Sequence, residues 1–191
     1  MSSIRLFILG SLDERGPMHG HGLRHLAEKE HIDEWTDFTV GAVYGAIKRL
    51  ALEGLIAEER VEREGHYPER QVYAITDAGR YSLGRLRTEA LTEIAIKADP
   101  FDLGLARLDF SKLDELPGIV AERIETMRER IDHNVMHHEQ ISQYLTAAEK
   151  WSLDHQADRW RAELAWHERL LGALPEIITD EQNLKSTKGH H

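Results

Sequence analysis

The sequence of 191 residues contains no cysteine, which excludes disulfide bonds, thiolate metal sites and cysteine nucleophiles. Long hydrophobic runs are also missing. The first apolar run, Leu6 to Leu9, is far shorter than the roughly 18 residues that span a bilayer, and no signal-peptide cleavage pattern follows it. These absences predict a cytoplasmic protein with no membrane partner.

An excess of positive charge is absent as well, because the formal net charge is -10. Such acidity excludes a histone-like protein that coats nucleic acid by bulk attraction, although a regulator can still gather a few Lys and Arg side chains on one surface. The sequence also lacks a glycine-rich phosphate loop, a nucleophile elbow and a recognisable carboxylate pair. We therefore expect neither an enzyme nor a cofactor.

The first fifty residues have the pattern of three short helices. Residues 3–12 are mostly apolar and break at Gly16-Pro17, and residues 20–30 carry a second apolar stripe. A third helix is predicted to begin after Thr39, whose hydroxyl would cap it, and to end at Gly54. Three short helices, the last with polar and basic groups on its outer face, indicate a helix-turn-helix.

The hydrophobic period then changes from helix to strand. Residues 55–61 and 71–76 are strand-length runs rich in β-formers, and they flank a turn that contains Gly and Pro. This pattern predicts a two-stranded β-hairpin, called the wing below. A fourth helix, capped by Thr76 or Asp77, is expected to continue to about Lys97.

Asp99-Pro100 marks the boundary between two predicted domains, because proline disfavours helical geometry in the residue before it. We assign residues 1–97 to a winged helix-turn-helix domain and residues 98–187 to a helical domain. Residues 188–191 resemble the start of a purification tag. Residues 101–110 are too apolar for a free linker, so they should pack as a strand or a short helix.

The rest of the chain reads as two long helices. Apolar residues follow 3-4 spacing from 113 to 148, and from 153 to 174 they alternate steps of four and three, which is the seam of a helix against a partner helix. The predicted fold is therefore mainly α, with an all-α antiparallel hairpin or coiled coil that forms a homodimer. The expected dimerisation residues are Trp160, Leu164, Leu171 and Leu174, for which an intramolecular hairpin core is the alternative.

The N-terminal motifs together resemble the PadR family of bacterial transcriptional regulators. They cover about the first 80 residues and comprise Leu9-Gly10, Gly16-Pro17-Met18-His19-Gly20, Val43-Tyr44 with Lys48-Arg49-Leu50, Glu53-Gly54-Leu55-Ile56, and Val72-Tyr73 with Ile75-Thr76-Asp77-Ala78-Gly79. The sequence departs from the family pattern at His21, where Tyr is usual, and at its wing tip, which is less basic. The helical tail is similar to the larger C-terminal domain of one branch of the family.

A helix-turn-helix reads DNA with the first turn of its last helix, where small or hydrogen-bonding side chains approach the bases, while cations bind phosphates. A two-fold dimer would read a near-palindromic operator in double-stranded DNA. The candidate base-contacting residues are Thr39, Val40, Gly41, Ala42 and Tyr44, and the candidate phosphate-binding residues are Lys48 and Arg49 on the helix and Arg60, Arg63 and Arg70 on the wing. The alternatives are packing positions for the small residues and a solvated face or an ion pair for the cations.

The resemblance further implies repression that a small aromatic or hydrophobic effector relieves. The aromatic residues of the helical domain could line its pocket, although plain core is the alternative for all of them: Phe101, Phe110, Trp151, Trp160 and Trp166.

Two other functions remain open at this stage. One is a metal-responsive regulator that uses the helix histidines His133, His137 and His138, although no Cys or well-spaced carboxylate completes a ligand set and a solvated face fits them better. The other is a protein-interaction or assembly module built on a winged helix.

Overall fold

The computed structural model describes residues 2–62, 70–94 and 98–188 of the chain. It divides into two compact units, Met1–Ile96 and Lys97–His191. No helix in these described ranges is long and apolar enough to cross a membrane. The predicted mainly helical class, with a winged helix followed by a helical region, is confirmed.

Among the described residues of the N-terminal unit, five helices pack around one apolar core. The buried residues of this core come mainly from the helices at 3–15, 20–29 and 43–52. Ile56 and Leu83 complete it. Burial of such side chains contributes about 1.5–3 kcal/mol each. The helices are α1 (Ser3–Arg15), α2 (Gly20–Lys29), α3 (Ile32–Trp35), α4 (Val43–Leu52) and α5 (Asp77–Thr92), and a 3-10 turn, Val40–Ala42, precedes α4.

The sheet of this unit has three antiparallel strands where two were predicted. The wing strands β2 (Ile56–Glu62) and β3 (Arg70–Ile75) are present, and a short strand β1 (Met18–His19) pairs with the other edge of β3. Met18 lies opposite Tyr73 in that ladder. Two residues show no periodicity, so β1 becomes visible only when its partner strand is in place.

Thr76 ties the start of α5 to the loop before β2. Its hydroxyl accepts a hydrogen bond from the Gly79 amide at 3.0 Å and donates to the Gly54 carbonyl at 2.7 Å. Thr76 is thus the cap, of the two residues that the sequence left open. The helix ends at Thr92, short of the predicted Lys97, because the residues directly after it already have non-helical backbone.

The C-terminal unit is an antiparallel helical hairpin with a short helix before it. A 3-10 turn, Phe110–Lys112, precedes the first long helix of the hairpin, and a second one, Ser142–Tyr144, follows that helix. Arg123 contacts His167, and Arg130 lies over the ring of Trp160. Residue numbers therefore rise along one helix as they fall along the other, which makes the hairpin antiparallel. The helices are α6 (Pro100–Leu105), α7 (Leu116–Ile141) and α8 (Ala147–Lys188).

Helix α8 continues past Pro175, beyond the predicted apolar seam. Proline removes a backbone donor and usually breaks a helix. Here Ile177 and Ile178, one turn further on, pack against the hairpin core formed by residues such as Val120 and Leu174. Tertiary packing therefore outweighs the local cost of the proline.

A polar cluster at the centre of this unit surrounds His167, which is only 1% exposed. The Arg123 Nε–H donates to His167 Nε2 at 2.8 Å, so Nδ1 carries the ring proton and donates to the Glu163 carbonyl at 2.9 Å. Arg123 also pairs with Asp99, and its guanidinium lies 4.6 Å from the centre of the Phe101 ring. One arginine thus joins both long helices to the segment that precedes them.

Replacing Gly79 with alanine should destabilise the N-terminal unit by about 1–3 kcal/mol. A Cβ there would lie 2.1 Å from the Leu55 carbonyl oxygen, a backbone atom that cannot turn away. Urea unfolding followed by circular dichroism measures the loss. Gly84→Ala on the same helix is the control, since its Cβ meets nothing within 4 Å, and it should be neutral or gain up to about 1 kcal/mol. Equal behaviour of the two variants would contradict the clash.

Replacing Arg123 with alanine should destabilise the C-terminal unit by about 1–3 kcal/mol, because buried His167 loses its hydrogen-bond donor. The same urea titration measures this, with Arg128→Ala as the control. Arg128 bridges α7 and α8 through exposed ion pairs with Glu125 and Glu168, and pairs of that kind add little. A loss for Arg128→Ala as large as that for Arg123→Ala would show that the buried contact has no special weight.

Candidate nucleic-acid interface

The segment that leads into α4 differs in detail from the prediction. Thr39 has extended backbone and its side chain makes no capping hydrogen bond, so the predicted Thr39 cap is wrong. The 3-10 turn separates it from α4, whose flanking residue is Ala42. The reason is packing: Val40 and Ala42 lie partly against the N-terminal core, which pulls this turn onto the protein.

One face of α4 is buried and thereby fixes which residues face outward. Val43, Ala46, Ile47 and Leu50 are buried in the core. The predicted base-contacting residues Thr39 and Gly41 are exposed, and Tyr44 is 44% exposed, whereas Val40 and Ala42 are half-buried. Three of the five predicted residues are thus accessible to a ligand.

The two cations of α4 are exposed and available. Within the described part of the chain, neither Lys48 nor Arg49 forms a hydrogen bond or an ion pair. The acid nearest to Arg49 along the helix, Glu53, is instead held by Arg5 of α1 through bonds of 2.8 and 2.5 Å. Those bonds, with a smaller contribution from the charge of Arg49, lower the pKa of Glu53. Arg5 therefore occupies the carboxylate that could otherwise pair with Arg49.

The wing cations are less available than the sequence predicts. The Arg60 guanidinium donates to Glu62 and to Glu59, each at 2.7 Å, and these two acids raise its pKa. Arg70 opens β3 and is half-buried, and Arg63 lies outside the described residues. The acidic side chains of β2 thus already occupy the hydrogen-bond donors of Arg60.

A groove of about 440 Å³ lies between the start of α2, α4 and β3. Tyr44 and Lys48 line it together with Arg70, so it joins predicted residues from the helix and the wing. Tyr44 packs close to Gly20, where an added Cβ would lie only 3.0 Å from its ring.

The sequence analysis missed several side chains of this groove: His19, His21, Gln71 and Tyr73. The rings of His19 and His21 stack with centroids 6.1 Å apart, and His19 Nδ1 accepts from the Gly22 amide at 2.8 Å. These residues reach the groove through the pairing of β1 with β3. The one sequence signal was the departure from the family pattern at His21.

The five predicted effector residues lie in different surroundings within the described part of the chain. Phe101 and Trp166 pack edge to face, with centroids 6.0 Å apart, and both contact the His167 ring. Trp160 lies beneath the Arg130 guanidinium at 5.2 Å, Phe110 is exposed, and Trp151 lines a separate groove. Phe101 and Trp166 thus pack against His167, in the same cluster that contains Arg123.

The predicted dimerisation residues mostly pack within the chain. Leu174 is 1% exposed in the hairpin core, and Leu164 and Leu171 pack against that core. Trp160 is half-buried. The apolar seam of α8 is therefore used, at least in part, by α7 of the same chain.

The helix histidines give a metal-responsive regulator no support. The rings of His137 and His138 are 6.4 Å apart, and no group of three or more His, Asp or Glu side chains suited to a metal occurs among the described residues. Partial burial, and next the charge of His137, lower the pKa of His138. These two effects favour the neutral form of the His138 imidazole.

Comparison with known proteins agrees with the geometry. Residues 8–85 match the model of the transcriptional regulator PadR-like family. No curated protein matches significantly. Bacillus subtilis PadR in complex with operator DNA is 18% identical, with a TM-score of 0.70 over 91% of this chain and 99% of that one.

Two further structures share the fold. Bacillus subtilis PadR in complex with p-coumaric acid is 17% identical, with a TM-score of 0.68 over 91% of this chain and 99% of that one. A PadR-like regulator from Bacillus cereus is 21% identical, with a TM-score of 0.65 over 89% and 94%. The expected resemblance is confirmed. Residues 8–85 of this chain thus match the PadR-like family of transcriptional regulators, and solved structures of PadR and of a PadR-like regulator share its fold.

Proposed function

We propose that this chain is a homodimeric, cytoplasmic repressor that binds a near-palindromic operator and is released from it by a small aromatic or hydrophobic effector. The observation that carries the DNA-binding part is the exposed outer face of α4, where Lys48 and Arg49 have no partner among the described residues. In an acidic protein, two such cations beside a groove form a local site for phosphate.

The division of labour on this face follows from side-chain chemistry. Lys48 and Arg49 bind phosphates and set the position of α4 on the duplex, and Thr39, Gly41 and Tyr44 contact base edges in the major groove. The groove histidines and Tyr73 widen the contact toward the wing. In a dimer the two recognition helices would lie about 34 Å apart, or a multiple of it.

Release by an effector requires that the effector bind the DNA-free form more tightly than the DNA-bound form. A protein of the same fold is known in complex with operator DNA and in complex with p-coumaric acid. We assign operator DNA and a small aromatic ligand to this chain. An enzymatic role finds no support in the residues or in the family match.

Fluorescence-anisotropy titration against the promoter fragment upstream of its own gene should show saturable binding that survives competitor DNA and weakens steeply with salt. Lys48→Ala with Arg49→Ala should lower affinity about tenfold or more and reduce the salt slope by about four, since a dimer loses two cations from each subunit. Arg85→Ala on α5, another exposed cation without a described partner, is the control and should bind normally. Weak, equal binding to every fragment would instead favour a protein-interaction module.

Freeing Arg60 should strengthen DNA binding. Replacing Glu59 and Glu62 with Gln removes both partners of Arg60. We expect an affinity gain of about three- to tenfold with a salt slope steeper by about two, one for each subunit of the dimer, measured by the same titration. The control is Glu125→Gln with Glu168→Gln, which frees Arg128 in the same way and changes the net charge equally. An equal gain in the control would mean that net charge alone is responsible.

A further inference from the structure

A second groove, of about 400 Å³, lies where the end of α7 meets the start of α8. We call it the hairpin groove. Its apolar lining comes from Val135, Leu145, Leu153 and Ala157. The volume lies within the range of pockets that hold small molecules in proteins, and apolar walls with a few polar groups are typical of them.

An aromatic side chain stands at the edge of the hairpin groove. Trp151, in the first turns of α8, lines it and is 74% exposed. Exposed indole costs free energy in water, and an aromatic ring packed against it would be favoured by burial and by ring–ring contact. A ligand with an aromatic ring therefore fits this wall.

The charges of the hairpin groove are balanced. Lys150 and Arg161 line it on the positive side, and Glu139 and Asp154 on the negative side. Arg161 pairs with Asp158, but Lys150, Asp154 and Glu139 form no ion pair with any described residue. His138 also lines the groove, and its partial burial lowers the pKa of its imidazole.

Balanced charges select for a ligand that carries both signs. A purely anionic ligand would gain from Lys150 but would meet Asp154, one helical turn away, and Glu139 across the groove; a purely cationic ligand has the opposite problem. A zwitterion can satisfy both, because its carboxylate and its ammonium are only a few ångströms apart.

We infer that the hairpin groove binds a zwitterionic aromatic molecule of amino-acid size. Its ring packs against Trp151 and the apolar lining, its carboxylate meets Lys150, and its ammonium meets Asp154. The further step that this ligand is the effector rests on the proposed function. The binding site itself is inferred from the lining of the groove.

Isothermal titration calorimetry of the full chain with three probes tests the charge requirement. L-phenylalanine carries both charges, 3-phenylpropionate lacks the ammonium, and phenethylamine lacks the carboxylate. We expect saturable binding of L-phenylalanine, at least about tenfold tighter than that of either single-charge probe. Equal affinity for 3-phenylpropionate would overturn the zwitterion assignment, and no saturable heat with any probe would overturn the site.

Variants test the placement of each group. Trp151→Ala should weaken all three probes, Lys150→Met only the two that carry a carboxylate, and Asp154→Asn only the two that carry an ammonium. Lys112→Met, an exposed lysine outside the groove, is the control and should leave every affinity unchanged. If no probe binds and Trp151→Ala changes the mass in sedimentation equilibrium, a second copy of the chain occupies the groove instead, and the inference fails.

The operator titration on the same samples separates the two proposals. Operator binding that persists while no probe binds would overturn the groove ligand and leave the regulator standing. Probe binding without operator binding would overturn the regulator and leave the site. Where both occur, L-phenylalanine should weaken operator binding in the parent chain and fail to do so in Trp151→Ala.

Discussion

The burial of one face of α4 is the constraint on which the DNA-binding unit depends. Val43, Ala46, Ile47 and Leu50 are held by the core of that unit, so the helix can rotate only at the cost of exposing them. At about 1.5–3 kcal/mol for each large apolar side chain, such a rotation would cost most of the stability of a small domain. The outward position of Tyr44 and Lys48 is therefore a consequence of packing.

Charge is managed around that helix by intramolecular pairing. Several arginines of the N-terminal unit are held by acids: Arg5 by Glu53, Arg60 by Glu59 and Glu62, and Arg80 by Asp13. Each pair is partly exposed and adds little stability by itself. The larger effect of these pairs is that they determine which cations remain accessible to a ligand. Because Glu53 is occupied by Arg5, Arg49 forms no ion pair with it.

The predictable part of this fold is the part with a local signal. Apolar stripes place α2, α4 and α5, and the caps and glycines place most of their ends. Strand β1 could not be predicted, because a two-residue strand exists only through Tyr73 and Val72, more than fifty positions away. For the same reason His19 was missed in the site, since only the sheet brings it to the groove.

Spacing alone also cannot say which helix covers an apolar seam. The repeat from residue 153 to 174 fits a partner helix equally well in the same chain or in a second copy, and the structure fills it with α7, as the burial of Leu174 shows. The pairing of Arg60 was equally invisible, because it depends on which rotamers three neighbouring charged side chains adopt.

In the C-terminal unit, contacts of one side chain link the two long helices and the segment that precedes them. Arg123 contacts His167 on α8 and Asp99 before α6, and its guanidinium lies over Phe101. The segment that enters this unit is thereby held to both long helices through one side chain. A ligand that changed the packing of α7 on α8 would act on this segment directly, because a buried, hydrogen-bonded cluster has discrete arrangements and does not deform continuously. Within this unit, Arg123 thus couples the hairpin to the segment that precedes it.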